Sequence, residues 1–299
     1  MSAPFSLSLR LRQLGHYTSN LAIVGLIRTA ALLPYQRRLQ FMGAAVERLI
    51  GPLAGYRKRA RENLALIYPE LDINARKQIA NRCLNNFGRS FIENYSPDDF
   101  LKRMAETPLT GPGVAALEQA ASQGRPVILV TGHYGNYEAV RAVLAARGIH
   151  AGGLYRNMKN PYFNAHYAKT MQTFGGPVFA QGRRGTTGFV RHLKEGGQLV
   201  LLFDQHVIGA PRFDFLGHPA QTATSAAELT LRYDALLIPF YGIRRADGIS
   251  FDALIEAPVP HSTATVMTQA ITDSIAAQIR RDPTQWFWVH RRWRSDPED

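Results

Sequence analysis

Apolar positions recur with helical spacing through the first ninety or so residues of this chain, then give way to short continuous apolar runs separated by turns. Residues 1–50 read as amphipathic helix, and the helical pattern resumes from Tyr56 to Phe91, with Asp72 or Asn74 able to cap a helix running through Asn85. Pro97, Pro108, Gly111, Pro112 and Gly113 break that pattern, and the α/β part begins there. Val127 to Val130 is a short apolar run and reads as a buried strand; Thr131-Gly132 ends it, and a helix over 137–147 stops at Gly148. The alternation continues with a strand at 149–154, a helix to Phe174, a strand from Gln198 to Phe203, a helix at 224–233, strands at 236–243 and near 249–256, and a final helix at about 263–280. Strands alternating with helices predict an α/β fold: a mixed, mostly parallel central sheet flanked by helices, preceded by N-terminal membrane-associating helices. Residues 1–50 are expected to form that helical N-terminus and residues 51–299 the main domain.

The N-terminus earns its membrane reading from its flanks. Basic residues stand on both sides of the apolar segment Leu21–Leu33, which contains Arg28 and falls short of the ~20 apolar residues a spanning helix needs. Pro34-Tyr35-Gln36-Arg37-Arg38 follows it, where a signal peptide would show a small-residue cleavage site and a polar mature start. These helices are expected to lie on or dip into an interface, with Arg10, Arg12, Arg37 and Arg38 meeting lipid phosphates; a helix pair packed on the core is the alternative.

Composition adds two constraints. A chain of 299 residues with 45% hydrophobic content can bury a sizeable core, as one large α/β domain or two small ones. The formal charge of +12 and pI near 10.1 call for an anionic partner: nucleic acid, an anionic membrane surface or an acidic carrier protein. A single cysteine, Cys83, excludes an internal disulfide and any cysteine-based metal cluster, and fits a reducing compartment.

The candidate chemistry lies where the first buried strand ends. His133 and Glu138 are five residues apart, about 140° on a helix, so a continuous helix would not pair them. His133 is expected on the loop, Asn136 at the helix N-cap and Glu138 in the first turn, where the carboxylate folds back to the imidazole and makes it a general base. An ordinary loop histidine beside an ordinary first-turn glutamate fits the same spacing. Asp204-Gln205-His206 ends the second buried strand, a usual ligand position in α/β sheets, although a strand-end Asp also caps turns. Arg156 follows a strand and precedes a Pro-interrupted loop; Arg183 sits in Gly182-Arg183-Arg184-Gly185, a turn that either cradles an anion or is merely exposed and basic. The loop 207–223 carries Phe213, Phe215 and Leu216 and is expected to line a pocket for an aliphatic chain. All three tryptophans fall in the arginine-rich tail from Gln285 to Arg294, suited to a membrane interface, single-stranded nucleic acid, or burial against a basic edge. The chain has no G-x-G-x-x-G, Walker A, H-E-x-x-H or G-x-S-x-G motif. His133, Glu138, Asp204 and His206 have the chemistry of metal ligands without the spacing of a helix-based pair, and no metal site is expected.

Taken together, His133-Tyr134-Gly135-Asn136-Tyr137-Glu138, Tyr155-Arg156 with Lys159-Asn160-Pro161, Asp204-Gln205 with Phe215, Gly217, Pro219-Ala220 and Thr222, and Trp288-His290-Arg291-Arg292-Trp293-Arg294 resemble, in order, the blocks of the lipid A biosynthesis (late) acyltransferases of the lysophospholipid acyltransferase superfamily. Arg61-Asn63-Leu64 and Tyr68-Pro69-Glu70 agree upstream, so the likeness covers roughly residues 20–295. Glycerophosphate branches of the superfamily carry H-x4-D and an F-P-E-G-type block, and neither occurs here. The resemblance implies a cofactor-free O-acyltransferase on the cytoplasmic face of an inner membrane. It would move a fatty acyl chain from an acyl thioester, that of acyl carrier protein, to a hydroxyl of an anionic lipid A precursor. His133 is then the base and Glu138 its orienter, with Asn136, Arg156, Arg183, Asp204 and Gln205 binding substrate; N–H groups near Gly135 and Asn136, or Arg156, would hold the oxyanion. No nucleic-acid partner is expected on this reading. Acylation of another lipid or glycolipid, use of acyl-CoA as donor, and a non-catalytic anionic-lipid binder are the alternatives.

Overall fold

The computed structural model describes residues 7–294, with side chains from residue 11 onward; Arg10, expected at a lipid surface, lies outside those side chains. The helical first third comprises α1 (Leu7–Ala31), α2 (Tyr35–Ala45), a π-helical turn (Val46–Ile50), α3 (Gly51–Leu53), α4 (Tyr56–Ile67), α5 (Ile73–Asn94) and α6 (Pro97–Ala105). Strands and helices then alternate as β1 (Leu109–Thr110), α7 (Val114–Ser122), β2 (Val127–Thr131), α8 (Tyr137–Ala146), β3 (Ala151–Tyr155), α9 (Pro161–Gln172), β4 (Val178–Ala180), α10 (Arg183–Lys194) and β5 (Gln198–Leu202). A hairpin of β6 (Arg212–Phe215) and β7 (His218–Gln221) follows, then α11 (Ser225–Arg232), β8 (Leu236–Arg244), β9 (Phe251–Ile255) and α12 (Ala264–Arg281).

Seven strands form one sheet in the order β1-β9-β8-β2-β5-β3-β4, parallel throughout except for the β8–β9 pair. This is the mixed, mostly parallel sheet the alternation predicts. All five residues of β2 are buried, which explains why its sequence is a continuous apolar run rather than an alternating one. The pleat still sorts them: Ile128 and Val130 join a core with α4, α5, α10, α11 and α12, while Val127 and Leu129 join a second core under α6, α7, α8 and α9. Asp72 is the cap of α5, its carboxylate accepting from Ala75 N at 2.7 Å, and the helix runs on to Asn94, past the predicted end.

A third apolar cluster joins the N-terminus to this body. Ile27 and Ala30 of α1 and Tyr35, Leu39 and Met42 of α2 pack with Leu84 and Ile92 of α5, Phe163 of α9 and Val289 of the tail. The first half of α1 does not share in it: Leu11, Leu14, Tyr17 and Leu21 are exposed. Among the described residues no helix is long and apolar enough to cross a membrane.

One expectation about an apolar segment is corrected, and for the tail burial is the alternative that holds. In 207–223 the β6–β7 pairing turns Phe213 and Phe215 inward, and Leu216 and Ala220 are buried with them, so these side chains fill the core instead of lining a pocket. In the tail, Trp286 and Trp288 are fully buried, and Trp293 stacks on Phe215 with ring centroids 5.6 Å apart. The aromatic side chains of the tail therefore close the protein interior, and their indole N–H groups are spent internally: Trp286 on Asp204, Trp288 on Pro283 O and Trp293 on Phe215 O.

Candidate active site

Parallel strands deliver their following loops to one rim of a sheet. His133 follows β2, Asp204 and Gln205 follow β5, Arg156 follows β3, and Arg183 opens α10 after β4. At a strand spacing of about 4.8 Å, β5 lies one step from β2, β3 about 10 Å away and β4 about 14 Å away. The rim thus carries most of the predicted site residues, but only the first two strands bring theirs into contact.

That contact is between His133 and Asp204. The carboxylate Oδ2 accepts the His133 backbone N–H at 2.7 Å and the Trp286 indole N–H at 2.9 Å, while Oδ1 stands 2.8 Å from His133 Nδ1. Gly132 makes the approach possible, since a Cβ there would lie 2.7 Å from Asp204 Oδ2 and 2.0 Å from the Ile275 side chain. Burial by itself would raise the Asp204 pKa. The attraction and hydrogen bonds of His133 outweigh it and hold the carboxyl well below the usual range. A carboxylate has only lone pairs to offer, so the Nδ1 facing it carries the proton and Nε2 is left as the basic nitrogen. Nε2 points to the rim, 3.4 Å from the exposed Gln205 amide nitrogen.

His290, Phe287 and Tyr137 wall the imidazole. The His290 ring lies edge-on at 4.5 Å between centroids, with those of Tyr137 and Phe287 at 6.4 and 6.5 Å. Burial, then the neighbouring His133, lowers the His290 pKa to about 3, so it is a neutral ring with one N–H; its Nε2 has no hydrogen-bond partner among the described residues. The turn that carries it is anchored by α4: Asn63 donates to Trp288 O and His290 O at 2.7 and 2.8 Å, and Arg59 to Val289 O. Buried Arg292 donates to Gln221 O, to Thr222 Oγ1, and to Gln205 O at 3.3 Å. Phe287 N closes the frame on His133 O at 2.9 Å.

Glu138 is elsewhere, and the expected hydrogen bond to the imidazole is replaced by an ion pair. Its Oε2 accepts from Arg141 at 2.7 Å, and Arg141 reaches on to Ala151 O at the head of β3; both side chains are buried under α8. The reason is the turn. Gly135 adopts φ 57°, where a Cβ would sit 2.0 Å from Gly242 O, and Asn136 N donates to that same carbonyl. The chain is thus pinned to β8 before α8 begins, and a first-turn side chain finds its partner one turn on, at i+3, rather than back across the turn. Burial raises the Glu138 pKa against the opposing pull of Arg141.

The same pinning redirects two further expectations. The Gly135 and Asn136 N–H groups are donated to Gln285 O and Gly242 O, so neither is open to an oxyanion. Asn136 is the predicted N-cap, accepting Glu138 N at 3.1 Å, but its amide nitrogen donates to buried Glu93 at 2.9 Å, so both ends of this expected substrate binder are held internally. Glu93 takes a two-pronged ion pair from Arg244 at 2.5 and 2.7 Å, and Gln285 bonds both the N–H and the carbonyl of Arg244. Sequence reasoning passes over Glu93 and Arg244; the one signal is a charged residue directly after Phe91-Ile92 on the apolar side of a helix. Arg156 and Arg183 are exposed. In the neighbouring block Asn160 caps α9 and donates to His16 O and Ser19 Oγ of α1, which gives Lys159-Asn160-Pro161 a structural task. Among the described residues no three His, Cys, Asp or Glu side chains are grouped to hold a metal ion.

A buried carboxylate facing one nitrogen of an imidazole whose other nitrogen is turned to the rim has the geometry that general-base catalysis uses. Residues 6–295 match the family described as bacterial lipid A biosynthesis acyltransferase. The chain is 25% identical over 255 residues to the lipid A biosynthesis lauroyltransferase of Escherichia coli (strain K12), covering 81% of this chain and 80% of the relative. It is 25% identical over 281 residues to the lipid A biosynthesis palmitoleoyltransferase of the same organism, covering 89% and 87%. A lipid A biosynthesis acyltransferase of Haemophilus influenzae (strain ATCC 51907 / DSM 11121 / KW20 / Rd) is 24% identical over 253 residues, covering 80% and 78%. With a family match spanning residues 6–295, the protein is an acyltransferase and belongs to the bacterial lipid A biosynthesis acyltransferase family.

Proposed function

We propose that the protein moves a fatty acyl chain from acyl carrier protein to a hydroxyl of a lipid A precursor, with His133 as base and Asp204 as the group that orients it. The observation that carries this reading is the 2.8 Å contact between His133 Nδ1 and Asp204, which leaves Nε2 basic and turned to the rim. The acceptor hydroxyl displaces the Gln205 amide and gives its proton to Nε2 as its oxygen attacks the thioester carbonyl. The tetrahedral oxyanion collapses with cleavage of the C–S bond, and the imidazolium returns the proton to the departing sulfur, so no covalent acyl-enzyme forms. Asp204 stabilises the imidazolium between those two steps. Gln205 Nε2 and His290 are the donors near enough to meet the oxyanion. Arg156, exposed two strands away, suits an acceptor phosphate. Glu138 supports the site through α8 and β3 rather than through the proton.

The N-terminal region of residues 1–50 is proposed to seat the protein on the cytoplasmic face of the inner membrane. Exposed Leu11, Leu14, Tyr17 and Leu21 on α1, with Arg12 and the net positive charge, support an interfacial rather than spanning attachment. The test is acyl transfer by purified enzyme from lauroyl-acyl carrier protein to a tetra- or penta-acylated lipid A precursor: His133→Ala should lose at least about 100-fold in turnover. Near-normal transfer by that variant would sink the assignment.

A further inference from the structure

α10 presents a line of cations for which the catalytic reading has no use. Its sequence from Arg183 to Lys194 contains four basic residues if His192 is left out, and no acid. At about 100° per residue, Arg183, Thr187, Arg191 and Lys194 fall within about 80° of one another, a stripe about 16 Å long. All three charged members are exposed, and no carboxylate lies within ion-pair distance of them among the described residues. The stripe borders a groove of about 730 Å³ between α10 and the end of α11, lined by Thr187, Val190, Arg191, Lys194, Arg232 and Tyr233. Arg232 stands over the Tyr233 ring at 5.5 Å and adds a cation to the far wall. Val190 and the ring of Tyr233 add apolar surface to this lining, so the groove is both basic and partly apolar.

We infer that this groove is the docking site for an acidic helix of the protein that carries the acyl thioester, an inference that rests on the proposed acyl-transfer function. Length and chemistry choose the occupant. A stripe of about 16 Å matches three turns of a partner helix with carboxylates at i, i+4 and i+8, whereas the phosphates of a small thioester such as acyl-CoA need only a local cluster. The apolar part of the lining suits the uncharged face of the same helix. Arg183, at the rim end of the stripe, follows β4, which lies about three strand spacings, or about 14 Å, across the sheet from β2. A partner seated there holds its thioester on a flexible arm that must span that distance, and the parallel rim between β4 and β2 is the direct path. Arg183 thus serves the donor protein.

The test is the double variant Arg191→Glu/Lys194→Glu, two exposed side chains remote from His133. Binding of lauroyl-acyl carrier protein, measured by titration without acceptor, should weaken at least tenfold and lose most of its salt dependence. Transfer from lauroyl-pantetheine, which lacks the carrier protein, should stay within about twofold of wild type. Binding to the carrier unchanged within twofold overturns the inference, as does an equal loss with lauroyl-pantetheine. If the variant instead loses affinity for vesicles containing anionic phospholipid while carrier binding persists, the stripe is a membrane contact and the inference fails. Failure of the acyl-transfer reading looks different: wild type would then bind the carrier without transferring from either donor, and His133→Ala would change nothing.

Discussion

Asp204→Asn separates the dyad found here from the one the H-x4-E spacing suggests. The substituted amide keeps its oxygen where Oδ2 accepts the His133 N–H and the Trp286 indole, bonds of 2.7 and 2.9 Å that have no other acceptor. Its NH2 group is then forced to the Oδ1 position, 2.8 Å from His133 Nδ1, where it donates instead of accepting. Nδ1 must shed its proton, Nε2 gains it, and the nitrogen that should take the acceptor's proton becomes an N–H. The corresponding change in serine-protease triads lowers kcat about 10⁴-fold by this tautomer switch; at 1.36 kcal/mol per tenfold it is a barrier increase of about 5 kcal/mol. We expect a loss of about 10³–10⁴-fold in kcat, with little change in KM for either substrate, because the altered nitrogen acts only in the transition state. Steady-state acyl transfer, with thermal unfolding to verify the fold, measures it. Glu138→Gln is the control: it removes the charge opposite buried Arg141, so it should cost about 3–5 kcal/mol of stability while the folded fraction keeps most of its turnover. Asp204→Asn within tenfold of wild type, or Glu138→Gln showing the tautomer-type loss in a fully folded sample, would refute the reasoning.

Further outcomes follow from the same geometry. His290 has a pKa near 3 in the folded protein and an ordinary value of 6.5 when unfolded, so between those values the unfolded chain binds more protons and stability is lost as the pH is lowered. Going from pH 6.5 to 5 should remove about 2 kcal/mol, and His290→Gln should flatten that slope in urea titrations run at each pH. Asp204, depressed in the fold, contributes stability above the ordinary carboxylate range that is lost only at still lower pH. Arg244→Met leaves Glu93 buried without its ion pair and should cost about 3–5 kcal/mol, lowering Tm by roughly 10 °C and loosening the turn that carries His133. Gly135→Ala puts a Cβ 2.0 Å from Gly242 O at φ 57° and should cut turnover sharply, which Gly124→Ala, with open space around it, should not. Leu14→Glu/Leu21→Glu should reduce binding to anionic vesicles at least tenfold in a flotation assay, each exposed leucine contributing about 1.5–3 kcal/mol when it enters the interface.

Local pattern alone was enough for much of this molecule. The run Val127–Val130, buried on both faces, announced a central parallel strand, and Asn136 and Asp72 announced helix starts, because capping and strand burial depend on neighbours a few residues away. The ordered blocks led to the family for the same reason. Pairing was another matter. His133 prefers Asp204, 71 residues on, to Glu138, five residues on, because β2 and β5 are adjacent in the sheet while Gly135 and Gly242 fasten the intervening turn to β8. The same non-local contacts took the N–H groups of Gly135 and Asn136 away from the oxyanion, turned Phe213 and Phe215 into core, and buried the tail tryptophans over the dyad. Periodicity reports which face of an element is apolar; which element lies against that face is decided by strand order and packing. The residue types at this site were therefore written in the sequence, and their partners were chosen by the fold.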